Sequence, residues 1–291
     1  MSFKRSRKTL RIKHLPAFIF ILFLLFFNIE ACAAAEIKIN DGRLALNSSE
    51  NEIKAHHDMN INPSDGAEGF FKLLKKSVNT PPEEKSSKSN NEALMRALNS
   101  NDTAEIKNSI LKLKEDKNLK SELNEALFYS AAKEATAAIE ILLNAGADIN
   151  YKDSNGFSVL MHAAANNKPD SVKLLIKRGV KLNEVNYYGM TALMCAAGKN
   201  STECAELLIN AGASVEAQAP LNGINAFMIA VGANNIDTAK LLIKKGANMN
   251  VRAKNNRTAL MLTTQYGYKS LYKILKDAGA IEYPYIEPDY K

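Results

Sequence analysis

The sequence predicts an all-α solenoid of about six helix-turn-helix units, preceded by a signal peptide and a flexible linker. Three observations carry this. Gly146-Ala147, Gly179-Val180, Gly212-Ala213, Gly246-Ala247 and Gly279-Ala280 recur at steps of 33, 33, 34 and 33 residues. A second marker keeps the same beat: Ser158-Val159-Leu160-Met161, Thr191-Ala192-Leu193-Met194, Asn225-Ala226-Phe227-Met228 and Thr258-Ala259-Leu260-Met261, with Glu125-Ala126-Leu127-Phe128 and Glu92-Ala93-Leu94-Met95 upstream. Apolar residues make up 46% of the chain but aromatic ones only 7%, with no Trp, so the core must be built from Leu, Ile, Ala and Met, a mix that favours helix.

Residues 1–35 read as an address. A basic cluster (Lys4, Arg5, Arg7, Lys8, Arg11, Lys13) precedes the apolar run 15–27, and the segment ends on Ala33-Ala34-Ala35, the pattern of a secretory signal peptide. An apolar run of about 13 residues, at ~1.5 Å each, falls short of a ~30 Å hydrocarbon core. A permanent span is the alternative, because Ile29 and the Ala run extend the segment. Cleavage follows Ala35 or precedes Cys32. Ile29-Glu30-Ala31-Cys32 resembles a bacterial lipobox, whose new N-terminal Cys takes lipid, with Glu30 departing from the pattern. Either route predicts an exported, bacterial protein in the periplasm or anchored facing it, with secretion as the alternative and any membrane contact made through the N-terminus.

Residues 36–91 read as a polar, mostly disordered linker. Gly69–Val78 within it is either a short amphipathic helix against a membrane surface or a turn docked on the first unit. The chain carries a net charge of +7, but 38 basic and 31 acidic groups become 32 and 30 once the leader, with six bases and Glu30, is removed. That balance lacks the basic face nucleic acid requires, so no nucleic-acid partner is expected.

Within 92–283 each unit parses into two short helices. The first opens at the Thr-like slot and carries a Leu-Met-x-Ala-Ala face whose small residues allow close approach. The second runs as in Thr202–Ala211 and ends at Gly212, since Gly takes the left-handed conformation at a helix end without a Cβ penalty. Asp148-Ile149-Asn150 and Asn248-Met249-Asn250 lead into turns holding Gly156, Gly189, Gly223 and, in the last unit, Asn256, which also tolerates positive φ. The last second helix is more polar (Lys269, Lys273, Lys276, Asp277), as suits a terminal cap, and the tail 284–291 cannot continue the pattern.

No catalytic, cofactor or metal site is expected. There is no CxxC, Walker loop, HExxH or GxSxG, and the array is read as no enzyme. His162 reads as a packed side chain, since the motif places no acid or nucleophile beside it. Cys195 and Cys204 fall on core slots of one unit, as two small apolar residues or as a disulfide.

Asp153-Ser154-Asn155-Gly156-Phe157-Ser158-Val159-Leu160-Met161-His162-Ala163-Ala164, followed by Leu174-Leu175-Ile176-Lys177-Arg178-Gly179, resembles the ankyrin-repeat pattern D-x-x-G-x-T-P-L-H-x-A-A … L-L-x-x-G. The resemblance is close from 121 to 283 and weaker over 92–120. Ala or Val stands for Pro and Met for His, which removes a local polar network. The resemblance implies a protein–protein scaffold shaped like a cupped hand, with turns as fingers and first helices as palm. It places Asn155, Phe157, Tyr187, Tyr188, Met190, Leu221, Ile224, Lys254 and Arg257 on the fingers and Asn166, Lys199 and Tyr266 on the palm, facing a protein partner. Phe157, Met190 and Ile224 either face that partner or pack finger against finger. Tyr187 and Tyr188 cannot both turn inward from one tight turn. The expected function is an adaptor in the cell envelope. The alternatives are a secreted effector that binds a host protein and an accessory subunit of an envelope enzyme.

Overall fold

The computed structural model describes residues 37–40, 43–46, 91–113 and 117–284. The leader with Cys32, the segment Gly69–Val78 and residues 285–291 lie outside the described residues.

Among the described residues twelve helices form six hairpins. They are α1 (Asn91–Ser100) with α2 (Thr103–Lys112), α3 (Leu119–Lys133) with α4 (Thr136–Asn144), α5 (Val159–Ala165) with α6 (Pro169–Lys177), α7 (Ala192–Gly198) with α8 (Thr202–Asn210), α9 (Ala226–Gly232) with α10 (Ile236–Lys244), and α11 (Ala259–Gln265) with α12 (Lys269–Asp277). None of them is long and apolar enough to cross a membrane. Each first helix of the last four units is started by the residue at the recurring slot. Ser158, Thr191, Asn225 and Thr258 accept hydrogen bonds from the backbone N–H of Met161 (3.3 Å), Met194 (3.3 Å), Met228 (2.9 Å) and Met261 (3.3 Å). These caps satisfy donors that a helix start leaves orphaned. The glycines that close the second helices all take positive φ, from +81° to +104°, and Asn256 takes +59°, as the sequence requires.

From the second unit onward, first helices pack on first helices more closely than second on second. Their facing residues are small: Ala163, Ala164, Ala196, Ala197 and Ala230 are fully buried. One apolar cluster runs without a break from Leu94 to Ala280, so each unit is stabilised by the neighbours that cover it. A polar ladder on the loops adds to this. Asn150, Asn183 and Asn250 accept through Oδ1, and Glu216 through Oε1, from the backbone N–H of Lys181 (3.0 Å), Ser214 (2.9 Å), Ile281 (2.9 Å) and Asn248 (2.8 Å) in the following unit. The four acceptors stand one period apart, so each unit fixes the start of the next loop.

Two strands fall inside the stretch expected to be a mostly disordered linker. β1 (Ile37–Asn40) pairs antiparallel with β2 (Arg43–Leu46), with Ile37 opposite Leu46 and Ile39 opposite Leu44. The sequence signal is Asp-Gly at 41–42 between two alternating runs, which favours a two-residue hairpin connection. This hairpin belongs to a contact unit separate from the array.

Cys195 and Cys204 are both free thiols and both fully buried, which settles them as apolar core residues. Burial pushes the Cys195 thiol up to about 12, and burial together with the nearby Glu203 and Glu134 carboxylates pushes the Cys204 thiol up to about 12. The thiolate is the nucleophile, so neither residue reacts while the array is folded. Iodoacetamide at pH 8 is expected to leave both unmodified in the native chain and to alkylate both in guanidinium. Mass mapping of rapid native alkylation at either position would contradict the packing.

Candidate binding surface

Between units the chain turns back in short fingers, each closed across its base by a backbone bond. Asp153 N–H donates to Phe157 O (2.9 Å), Asn186 to Met190 (3.1 Å), Ala219 to Ile224 (2.9 Å) and Ala253 to Arg257 (2.9 Å). The first two fingers have a side chain at their base that organises the tip. Asp153 Oδ1 accepts from the N–H of Asn155 (2.8 Å) and Phe157 (2.9 Å), and Asn186 Oδ1 accepts from Tyr188 (3.0 Å) and Met190 (2.9 Å). Ala219 and Ala253 hold that slot in the last two fingers. Asn222 and Asn255, nearer the tip, accept there instead, from Ile224 (3.1 Å) and Arg257 (3.3 Å).

Fingers also bond to one another. Tyr187 N–H donates to Asn155 O (3.3 Å) and Lys254 N–H to Asn222 O (2.8 Å). Pro220 stands in the equivalent place of the intervening finger and has no N–H to give. That finger is held by packing, its ring lying against Gly189.

The structure divides the expected site residues. Phe157, Tyr188, Met190 and Ile224 are only 2%, 8%, 0% and 1% exposed, and so are withdrawn from the partner surface. Their side chains fill the seam between one finger and the next. Phe157 lies 6.1 Å from Tyr188, ring centre to ring centre. Of the tyrosine pair, Tyr188 turns inward and Tyr187 stays at the surface, half-buried. Leu221 is 46% exposed, Lys254 and Asn166 are exposed, and Asn155, Lys199, Arg257 and Tyr266 are half-buried. These form the front of the array: finger tips Asn155, Tyr187, Leu221 and Lys254, and the ends of the first helices at Asn166, Lys199 and Tyr266. Val185, 43% exposed beside the second finger, belongs to the same front and carried no sequence signal.

The tyrosine split gives a direct test. Tyr188→Ala empties a covered seam and is expected to cost about 3 kcal/mol, whereas Tyr187→Ala is expected to cost under about 1 kcal/mol. Urea melts of the two variants check this, and equal midpoints would refute the assignment.

His162 has the acid the motif did not place beside it. Its Nε2 lies 2.9 Å from Asp153 Oδ2, and its ring sits 5.0 Å from Phe128 and 5.6 Å from Phe157. The pair ties the first helix of its unit to the base of the finger. With the ring enclosed by two aromatics, it is a strut. Among the described residues no group of three His, Cys, Asp or Glu side chains is placed to hold a metal.

Two open grooves lie elsewhere on the array. One of about 780 Å³ lies at the end of the stack, walled by Leu260, Met261, Tyr272 and Ile281 with Arg257 and Tyr283 at its edge. The other, about 360 Å³, lies on the second helices between Ile110, Leu111 and Ile141. Neither encloses a small molecule in the way a catalytic pocket does.

A family model described as ankyrin repeats, in three copies, matches residues 127–219 and 214–283. No curated protein matches the chain.

Proposed function

The chain belongs to the ankyrin-repeat family, whose repeats mediate protein–protein interaction, and on that premise we propose that it is an adaptor of the bacterial cell envelope. The array is its working part and the N-terminal segment its address. Members of such families are typically binding scaffolds without catalysis. One observation carries the reading here: Asn155, Tyr187, Leu221 and Lys254 stand outward at successive finger tips while the seams beneath them are filled. A row of outward side chains on a backbone fixed by bonds and buried anchors is pre-organised, so little ordering entropy opposes binding. Tyr is a residue type that makes interface hot spots, and the exposed Leu221 on the next tip adds apolar surface for a partner to cover. The envelope setting rests on the basic cluster, apolar run and small-residue end of residues 1–35, with Cys32 as the lipid attachment if cleavage precedes it.

The test is in-cell photo-crosslinking from position 187 or 221 of the full chain, followed by fractionation and mass spectrometry of the mature N-terminus. A specific adduct in the envelope fraction, absent from a probe placed at Lys240 on the opposite face, supports the adaptor. Equal adduct patterns from both faces, or a cytoplasmic array with its leader intact, would sink it.

A further inference from the structure

Charge is sorted in the last three units. Their fingers and first helices, residues 185–200, 218–235 and 252–267, hold Lys199, Arg252, Lys254 and Arg257 and no Asp or Glu. Their second helices and loops, residues 201–217, 236–251 and 268–284, hold six acids and six bases. The first three units show no such sorting: their fingers and first helices mix Glu92, Arg96, Glu125, Lys133, Lys152 and Asp153. The carboxylate nearest in sequence to the basic stretch is Glu184, and it is already engaged, 2.5 Å from Lys152 and 3.4 Å from Lys181. Those lysines hold its carboxyl below the usual carboxylate range.

Three of these cations, Arg252, Lys254 and Arg257, are presented but not neutralised by a carboxylate among the described residues. Arg257 donates to the neutral amide of Gln265 (2.7 Å), and Arg252 lies over the Tyr283 ring at 4.1 Å. Lys254 is exposed at its finger tip, and among the described residues none of these three makes an ion pair. Neutral hydrogen bonds and ring stacking orient a cation without cancelling its field, which leaves the charge available to a partner. Exposed Leu221 and half-buried Tyr187 lie on the neighbouring tips.

We propose that the front of units four to six binds an acidic protein segment, an extended stretch of Asp and Glu interspersed with bulky apolar side chains. Its carboxylates meet Lys199, Arg252, Lys254 and Arg257, and its apolar residues meet Tyr187 and Leu221. This rests on the adaptor reading and names the chemistry of its partner. A nucleic acid fits less well. Residues 218–235 hold no Lys or Arg, so Lys199 stands a unit apart from Arg252, Lys254 and Arg257, whereas a phosphate backbone asks for a continuous track of positive charge.

Fluorescence anisotropy of the full chain tests the proposal with a fluorescein-labelled peptide of repeated Glu-Glu-Tyr, its Gln-Gln-Tyr counterpart and an oligothymidylate of similar length. The acidic peptide is expected to bind, the Gln peptide to bind at least about tenfold more weakly, and affinity to fall with added salt. Lys254→Glu with Arg257→Glu is expected to weaken binding about tenfold or more, while Lys240→Glu with Lys244→Glu, the same charge change on the second helices, alters it less than about twofold. Should the front pair lower the helical signal, Lys254→Gln with Arg257→Gln takes its place. No binding of the acidic peptide, equal losses from the two pairs, or tighter binding of the oligothymidylate would overturn the proposal. The in-cell adduct separates the two readings. If it survives the front charge reversal but is lost with Tyr187→Ala and Leu221→Ala, the acidic partner falls and the adaptor stands.

Discussion

Phe227→Ala is expected to lower the unfolding free energy by about 3–5 kcal/mol, the largest loss from any single truncation in the array. Phe227 is fully buried and is the largest of the fully buried side chains. It holds, in α9, the slot that Leu193 and Leu260 hold in α7 and α11, the first helices on either side. Truncation therefore opens a cavity where the fifth unit meets its neighbours. In a stack whose stability is a sum of nearest-neighbour interfaces, a loss in the fifth unit weakens its coupling to the units before and after it. The expected result is a urea midpoint shift accompanied by a pattern in hydrogen exchange. Amides of α9 to α12 lose protection first, while those of α3 to α8 keep most of theirs. Uniform loss from α1 to α12 would show that the array melts as one block.

Much of this architecture was legible from period alone. The Gly-Ala beat placed the helix ends, and the Thr-like slot placed the helix starts, because both encode local backbone chemistry that needs no neighbour. What escaped were features whose meaning depends on the adjacent unit. The slot before each Thr-like residue is Phe157, Met190, Ile224 and Arg257 in successive units. In the first three a following finger covers the side chain, and the residue is apolar and buried. In the last unit no further finger follows among the described residues, and the residue is a half-buried Arg. Taken singly, an apolar residue in a tight turn looks like a binding tip. Taken as a series, the switch to Arg at the end marks the slot as a covered seam. The same reading along the period finds Asn101, Asn167, Asn200 and Asn234, with Glu134 and Gly267, all at positive φ between first and second helices. Asn tolerates that conformation because its short amide bonds locally. Asn200 also reaches the next unit, accepting from Thr238 Oγ1 at 3.0 Å. The hairpin of β1 and β2 escaped for a different reason: eight paired residues leave no repeat to find, only an Asp-Gly and an alternation.

Gly189→Ala is the second large effect, and it reports on the fingers where the first reports on the helices. Gly189 has φ +75°, and a Cβ built there would stand 2.6 Å from Pro220 Cδ and 3.3 Å from Ala219 Cα. The substitution meets two costs together, a left-handed backbone that a side chain resists and a contact with a rigid ring that cannot swing aside. About 3 kcal/mol of destabilisation follows, most of it from displacing one finger against the next. Pro220→Ala removes the ring but not the strain at φ, so the double variant is expected to recover about 1 kcal/mol relative to Gly189→Ala alone. Such coupling would show that the third finger is held by contact where its neighbours are held by backbone bonds. Because Leu221 directly follows Pro220, the displacement also moves a binding tip. Gly189→Ala is therefore expected to weaken partner capture even at a temperature where the array remains folded. Additive stability effects in the double variant, or full capture by folded Gly189→Ala, would mean that the fingers do not lean on one another at this seam.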